Sequence, residues 1–194
     1  MKKTLTLLIL ILAATLAFAK GEAYPGWKPL KLKNGNTPAG FRFREMVDTK
    51  YANFVEIILQ GDADAIVKLR RMVDNEPGDQ DPLARVIYIK KGTTYRIEHL
   101  PLGTYYAEVA FGNILAASKE DKTRVRFMED SSFERLITPF ALTYTQDTLP
   151  NGDIATKTST MLLTLQMDFT KDVTKKKNAF DMQKQDITEE EFYK

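Results

Sequence analysis

The chain has 194 residues, of which 43% are hydrophobic, with 28 Lys and Arg, 26 Asp and Glu, one His and no Cys. This is the composition of a single globular domain. It excludes a disulfide framework, a thiol nucleophile, a thiolate metal site and a multi-histidine zinc site within one chain. The nearly balanced charge gives no bulk attraction for nucleic acid, so we do not expect nucleic acid as a partner.

The first 19 residues have the pattern of a secretory signal peptide. Lys2 and Lys3 precede an almost unbroken apolar stretch, Leu5–Leu16, and residues 17–19 (Ala-Phe-Ala) supply the small residues that a signal peptidase reads. The apolar stretch is shorter than the roughly 20 residues of a membrane-spanning helix. We therefore predict cleavage after Ala19 and export to the periplasm, the cell surface or the extracellular space, with no membrane span in the mature chain.

Residues 20–40 are rich in residues that interrupt regular structure. This composition disfavours both a long helix and a central strand, so we predict an extended N-terminal arm. Trp27 is the only tryptophan in the chain. It is either an anchor for a partner or part of an arm that covers a hydrophobic edge of the domain itself. The interrupting residues are Gly21, Pro25, Gly26, Pro29, Gly35, Pro38 and Gly40.

Over residues 41–170 the apolar residues recur with a period of two. Val55, Ile57 and Leu59 share one face, with Glu56 and Gln60 on the other, which is typical of a strand with one face on a core and one in water. Parallel sheets would instead show continuous apolar runs separated by helices. We therefore predict an all-β fold, an antiparallel two-sheet sandwich over 41–170. The same alternation occurs at Phe41 and Phe43, at Ala65, Val67 and Leu69, at Val125 and Phe127, and at Met161, Leu163, Leu165, Met167 and Phe169.

Three short segments between these runs have the composition of hairpin turns. They are Gln60–Asp62, Lys91–Thr93 and Pro150–Asp153. The last contains an Asn-Gly pair, which tolerates the positive φ angles that tight hairpins require. We predict a hairpin at each of the three positions.

The segment Tyr95–Gly112, with the sequence YRIEHLPLGTYYAEVAFG, resembles the strand-turn-strand signature of carboxypeptidase-regulatory-like (prealbumin-like) β-sandwich domains. In that signature Leu100 fills the core, Gly103 makes the turn and Tyr105 begins the inner face of the next strand. The longer run Ala65–Gly112, with the closing segment Ile187–Phe192 (ITEEEF), also looks like a family of small exported proteins of Bacteroidota. The resemblance implies a prealbumin-like or Ig-like sandwich of the non-catalytic kind that is attached to other proteins.

Three pairs of cationic residues, spaced two positions apart, are predicted to point outward from their strands. On neighbouring strands they would form a basic face that binds the phosphate or carboxylate groups of an anionic glycan or an acidic protein. The alternative is a solvated face with cross-strand ion pairs to Glu45, Glu56 and Glu108. The pairs are Arg42 and Arg44, Lys68 and Arg70, and Arg124 and Arg126.

The sequence contains no recognisable catalytic constellation. His99 is the only histidine and no nucleophile-elbow serine accompanies it, so we expect a structural role for it and predict no catalytic residue and no cofactor. An acidic loop offers oxygen ligands for Ca²⁺, but its spacing does not match an EF-hand, and a solvated loop is the better interpretation. The weak calcium candidates are Asp74, Glu76, Asp79 and Asp81.

The tail, residues 171–194, differs in composition from the rest. It begins with a lysine-rich stretch, Lys175–Lys177, and ends with Thr188 followed three residues later by Glu191, which is a capping box. We predict a short C-terminal helix. We also predict that the tail is dispensable for folding and that it contributes to association with a partner, with Phe192 among the contacts.

Together these features predict an exported, non-catalytic binding or structural module, an accessory subunit of a cell-envelope or cell-surface assembly. Its partner would be another envelope or surface protein, with a glycan as a further candidate. One competing class is a carbohydrate-binding module with coplanar exposed aromatic residues, for which the candidates are Tyr51, Tyr88, Tyr106 and Tyr144. Another is a hydrolase that uses two facing carboxylates in a cleft. The predicted partner-binding residues are Trp27, Arg42, Arg44, Lys68, Arg70, Arg124, Arg126 and Phe192.

Overall fold

The computed structural model describes residues 23–169 and 183–194, in which the chain forms eleven strands and one short helix. The predicted signal peptide (1–19), residues 20–22 of the arm and the lysine-rich stretch of the tail lie outside the described residues. The strands are β1 (Trp27–Pro29), β2 (Phe54–Gly61), β3 (Asp64–Arg71), β4 (Leu83–Ile89), β5 (Thr94–Glu98), β6 (Gly103–Ser118), β7 (Val125–Leu142), β8 (Tyr144–Thr148), β9 (Ile154–Thr158), β10 (Thr160–Met167) and β11 (Lys184–Asp186), and the helix is α1 (Glu189–Tyr193).

Two sheets pack together to form the sandwich. The larger has the strand order β11-β7-β6-β3-β4, with β1 paired to the end of β6, and the smaller has the order β10-β2-β5. Strands β8 and β9 form a separate two-stranded sheet. The pairs are antiparallel except that β10 runs parallel to β2, with Thr160 beside Phe54. The predicted all-β antiparallel sandwich with a short C-terminal helix is confirmed.

The core between the sheets contains the alternating apolar residues that the sequence predicts. Val55, Ile57 and Leu59 of β2 are at most 1% exposed, and they pack in one cluster with Val109 and Leu163. Because successive side chains of a strand point to opposite faces, only every second residue of β2 reaches this core, and the residues between are half-buried.

Two of the three predicted hairpins are wrong, since the segments after Gln60 and after Lys90 carry the chain from one sheet to the other. At the first crossover Gly61 has φ +100°, and a Cβ there would lie 1.9 Å from the Met167 carbonyl oxygen, so only glycine fits. The hairpin at Pro150–Asp153 is confirmed. There the Leu149 amide donates to the Asp153 carbonyl at 2.8 Å, and Gly152 has φ +87°.

The segment that carries the family resemblance has the local structure that the sequence predicts. Leu100 and Tyr105 are completely buried in the core between the sheets. The Tyr105 hydroxyl donates to the Pro101 carbonyl at 2.6 Å, which closes the turn around Gly103. Val109 and Phe111 continue the inner face of β6.

A second apolar cluster lies on the outer face of the larger sheet. Ile66, Val86 and Phe127 face it from the sheet, and the N-terminal and C-terminal segments cover it. Phe41 and Phe43 belong to this cover, so the prediction of a strand there is wrong. Their alternation arises because an extended segment lies across the sheet with every second side chain inward, without joining the hydrogen-bond ladder.

The N-terminal arm also covers a sheet edge. The Gly35 amide donates to the Tyr88 carbonyl, and the Tyr88 amide donates to the Asn36 carbonyl, both at 2.8 Å, which satisfies the main chain of edge strand β4. Residues 23–40 therefore cover an edge and part of the outer face of the domain itself.

The C-terminal residues are part of the fold, contrary to the prediction of a dispensable tail. Strand β11 pairs with β7, and the helix begins at the predicted capping box, in which Thr188 accepts from the Glu191 amide. Phe192 is completely buried in the outer cluster. The prediction that Phe192 contacts a partner is wrong, because its ring fills a gap between the sheet and the N-terminal arm.

Candidate interaction sites

The cationic pair Lys68 and Arg70 is buried, so the prediction that it forms part of an exposed basic face is wrong. Lys68 is 0% and Arg70 is 8% exposed. Strand β3 lies in the interior of the larger sheet, and both of its faces are covered, one by the smaller sheet and one by the terminal segments. Alternation in the sequence therefore separates two buried faces here, rather than a core face from a solvated one.

The two cations neutralise Glu108 on the neighbouring strand β6. Lys68 Nζ lies 2.9 Å and Arg70 Nε 3.0 Å from Glu108 Oε2, and Arg135 Nη2 lies 2.8 Å from Glu108 Oε1. Lys68 Nζ also donates to the Phe192 carbonyl at 2.6 Å. This ionic cluster ties β3, β6, β7 and α1 together, and Lys68, Arg70 and Glu108 within it are buried and not exposed to a partner.

Burial and charge act in opposite directions on the pKa values in this cluster. Burial by itself raises the pKa of the Glu108 carboxyl, but Lys68 and Arg70 outweigh it and hold that pKa below its usual value. Burial lowers the pKa of the Lys68 ammonium, with Glu108 opposing the shift.

The other predicted cations are exposed, and two of them line a groove that also includes Trp27. Arg124 and Arg126 line a groove of about 780 Å³ together with Trp27, Phe41 and Tyr193. The Arg126 guanidinium carbon lies 4.6 Å from the centre of the Trp27 ring, which is a cation–π contact. We call this region the Trp27 end of the domain: β1, the β6–β7 turn (residues 119–124), the start of β7 and α1.

Further charges surround this groove. Glu189 and Glu190 also line the groove. In the β6–β7 turn, the Thr123 hydroxyl and amide donate to Asp121, and these bonds, with Arg124 and Arg42 nearby, lower the pKa of the Asp121 carboxyl. Phe41 lines the groove, so its chain neighbour Arg42 lies beside the Trp27 end. Arg44 is exposed, but no described contact places it at this groove.

A smaller depression of about 370 Å³ adjoins the groove on the other side of Trp27. Its walls are largely apolar, formed by Ala23, Tyr24 and Pro29, and the lysines Lys28 and Lys119 flank it. Trp27 thus lines two surface recesses that are both bordered by cations.

The β8–β9 hairpin, at the opposite end of the β6–β7 pair, was not identified as a site from the sequence. It follows Leu142, which pairs with Gly103, whereas the Trp27 end adjoins the pair Ala117 and Val125. Most of its residues are exposed on both faces, including two large apolar residues near its tip, Leu149 (43% exposed) and Ile154 (64%).

The two faces of this hairpin differ in chemistry. Residues directly opposite in an antiparallel pair share a face. One face carries uncharged residues only, and the other carries Asp147 and Lys157. The uncharged face consists of Tyr144, Gln146, Thr148, Ile154, Thr156 and Thr158. Strands β8 and β9 both carry mostly polar residues on both faces, without an apolar face for the core. This composition is the signal by which the sequence could have indicated an exposed hairpin.

The four tyrosines proposed as a carbohydrate platform are not brought together. Tyr88 and Tyr106 are only 6% and 0% exposed. The Tyr88 hydroxyl donates to the Asp64 carboxylate, and the Tyr106 hydroxyl donates to the Gly78 carbonyl. Tyr51 and Tyr144 do meet at the base of the hairpin, with ring centres 5.0 Å apart and planes tilted by 50°. The predicted coplanar set is therefore wrong for two of its members.

The acidic loop is organised around one buried carboxylate. Asp81 is 4% exposed and accepts from the Val73 and Gly78 amides, both at 2.8 Å, so its oxygens brace the loop. Within residues 23–169 and 183–194, no three His, Cys, Asp or Glu side chains are grouped so that they could bind a metal ion. Asp74, Glu76, Asp79 and Asp81 are thus not grouped as metal ligands in the part of the chain that the structure describes.

His99 occupies a strained position in the turn after β5. Its φ is +57°, and its carbonyl accepts from the Asp48 amide at 2.8 Å. Its Nδ1 is buried without a hydrogen-bond partner among the described residues. The contacts of the main chain fit the predicted structural role, since they join the turn to the segment before β2.

Comparison with protein-family models, with curated proteins and with solved structures finds no match to this chain. Among the residues described, no helix has the length and the apolar character needed to cross a membrane.

Proposed function

We propose that this protein is an exported, non-catalytic binding module, an accessory subunit of a cell-envelope or cell-surface assembly, and that the β8–β9 hairpin engages its protein partner. The observation that carries the proposal is the hairpin itself. It projects from the sandwich with both faces exposed and with Leu149 and Ile154 in solvent near its tip.

An isolated two-stranded hairpin is at best marginally stable in water, and it gains stability when further strands or a packed face are added. This hairpin is secured at its base, where the Ser159 amide donates to the Thr143 carbonyl at 2.9 Å and Tyr51 packs on Tyr144. Four of its five cross-strand pairs lie beyond that base. A partner that pairs with an edge of the hairpin, or covers its uncharged face, supplies the stabilisation that the domain does not.

The sequence resemblance supports the same role. Carboxypeptidase-regulatory-like domains, which the segment Tyr95–Gly112 resembles, are non-catalytic modules attached to other proteins. The apparent signal peptide supports a site of action outside the cytoplasm. We propose the periplasm or the cell surface.

The experiment is affinity purification of the tagged protein from its native envelope after chemical cross-linking, with the captured proteins quantified by mass spectrometry. The test variant is L149K/I154K, which adds two charges at exposed positions. The matched control is V47K/V73K, which makes the same change at two other exposed apolar residues (57% and 68% exposed). We expect L149K/I154K to reduce capture of the main partner at least tenfold and V47K/V73K to leave it unchanged. Equal capture by both variants would contradict the role of the hairpin.

A carbohydrate-binding function is the second candidate, because Tyr51 and Tyr144 form a half-exposed aromatic pair. Affinity electrophoresis on polysaccharide gels tests it. Retardation by a polysaccharide that is lost in Y51A, but kept in a variant of a tyrosine remote from the hairpin such as Y24A, would favour this candidate over a protein partner.

A further inference from the structure

The Trp27 end is the place where the chain enters the described domain. Ala23, the first described residue, lines the depression beside Trp27 and Lys28. Only six residues lie between it and Leu16, the end of the apolar stretch Leu5–Leu16. The seven Cα–Cα steps from Leu16 to Ala23 span at most about 25 Å when extended. While the apolar stretch lies in a bilayer, the Trp27 end is therefore held close to the lipid headgroups.

The charges at this end suit an anionic surface. Seven exposed cations are gathered there: Lys28, Arg42, Lys119, Lys122, Arg124, Arg126 and Lys194. Six carboxylates accompany them, and three of these are engaged locally: Asp121 by Thr123, Glu129 by the Tyr24 hydroxyl and Glu191 by the Thr188 amide. The other three are Glu120, Glu189 and Glu190. The net charge of the surface is positive, in a mature chain whose predicted total is balanced.

The arrangement of Trp27 is also that of an interfacial residue. Its ring is half-buried, is covered on one side by Arg126, and borders the largely apolar depression that Lys28 and Lys119 flank. Tryptophan and arginine or lysine with apolar stems are enriched at the boundary between membrane and water, where one part of the side chain is apolar and the other is hydrated.

From these observations we infer that the Trp27 end binds the surface of an anionic phospholipid bilayer, with the cations contacting headgroup phosphates and Trp27 at headgroup depth. The contact is peripheral and persists after the apolar stretch is removed. It lies at the opposite end of the β6–β7 pair from the hairpin, so it is independent of the proposed partner site.

The experiment uses the protein as the cell exports it, with its N-terminus determined by mass spectrometry. Binding is measured by co-sedimentation with vesicles of phosphatidylcholine alone and of phosphatidylcholine with 30% phosphatidylglycerol. Because Trp27 is the only tryptophan, its fluorescence reports directly on this surface. We expect binding to the anionic vesicles only, a blue shift of the Trp27 emission, and loss of binding in 1 M NaCl, where the Debye length is about 3 Å.

The test variant is R124E/R126E, and the matched control is K50E/K157E, which makes the same change in charge near the hairpin. With a factor of about five for each charge close to an anionic surface, we expect R124E/R126E to weaken binding at least about 30-fold and the control to weaken it less than about threefold. Circular dichroism confirms that each variant is folded.

Three results would overturn the inference. They are equal binding to the neutral vesicles, an equal loss in the control, and no binding to anionic vesicles. If the protein instead binds soluble polyglutamate through Arg124 and Arg126 and no vesicle, the surface serves an acidic protein and not a bilayer.

Discussion

Glu108 is the position at which a single change in charge should cost most stability. Its carboxylate is completely buried, and it is the counter-ion of Lys68, Arg70 and Arg135 at 2.8–3.0 Å. The substitution Glu108→Gln keeps the size and shape of the side chain and removes only the negative charge. Lys68 and Arg70 then share a buried site without their common carboxylate, and Arg135, which also lies 3.7 Å from Asp79, loses its closer partner.

Removing one member of a buried ion pair typically costs about 3–5 kcal/mol, because the remaining charge stays desolvated without compensation. We expect a decrease in the free energy of unfolding of that size for Glu108→Gln, measured by urea denaturation. The matched control is Glu56→Gln, whose partner Arg96 lies at 2.8 Å in a largely exposed pair, with side chains 28% and 48% exposed. Such pairs contribute about 0–1 kcal/mol.

The pH dependence gives a second test of the same cluster. Because Lys68 and Arg70 hold the folded pKa of Glu108 below its unfolded value, its contribution is present above the unfolded pKa, about 4.3, and is lost as the pH falls through the lower folded pKa. The difference between the wild type and Glu108→Gln should therefore shrink below about pH 4. A loss under 1 kcal/mol at pH 7, or a loss equal to that of Glu56→Gln, would refute this account of the cluster.

Two further predictions concern the termini and the tyrosines. Phe192→Ala should lower the free energy of unfolding by about 3–5 kcal/mol in urea denaturation, because it empties a completely buried site in the outer cluster. A loss under 1 kcal/mol would instead support the prediction that the tail is dispensable for folding. Burial raises the pKa of Tyr105 to about 12 and also raises those of Tyr88, Tyr106 and Tyr193. These phenols keep their protons in the folded state above pH 10, so their stabilisation is complete below pH 10 and is lost as the pH rises towards 12. In an absorbance titration at 295 nm, part of the tyrosine signal should appear only as the fold is lost, whereas in 6 M guanidinium the whole signal should appear near pH 10.

The sequence predicts the sandwich core well because a half-buried strand has a distinctive period. Val55, Ile57 and Leu59 alternate in the chain and are buried in the structure, whereas the residues between them, on the other face of β2, are only half-buried. The same reasoning is wrong for Lys68 and Arg70, where a second layer covers the other face of the sheet. Period two shows which residues share a face, but it does not show whether the opposite face is exposed to water.

Turn composition has the same limit. A glycine with positive φ indicates a reversal or a close approach of the chain, and both Gly61 and Gly152 have one. Only Gly152 lies in a hairpin. Gly61 carries the chain between the sheets, and the contact that requires it is the Met167 carbonyl, more than 100 residues later in the sequence. Local composition contains no information about that neighbour, so the strand order was not predictable at this level.

The candidate sites follow from the same physical distinction. The prediction that Arg124 and Arg126 are exposed agrees with the structure, since no other described segment covers them. Phe192 and Lys68 are instead buried by segments distant in sequence, which local composition does not reveal. The long strands β6 and β7 explain why two exposed features are available at once. Strand β7 begins at the Trp27 end and ends where the hairpin emerges, and it pairs with β6 at both ends. Both features are therefore attached to one continuous pair of strands that packs against the core. If a bilayer binds one end and a protein the other, as we propose, this continuous pair of strands fixes the distance between the two contacts.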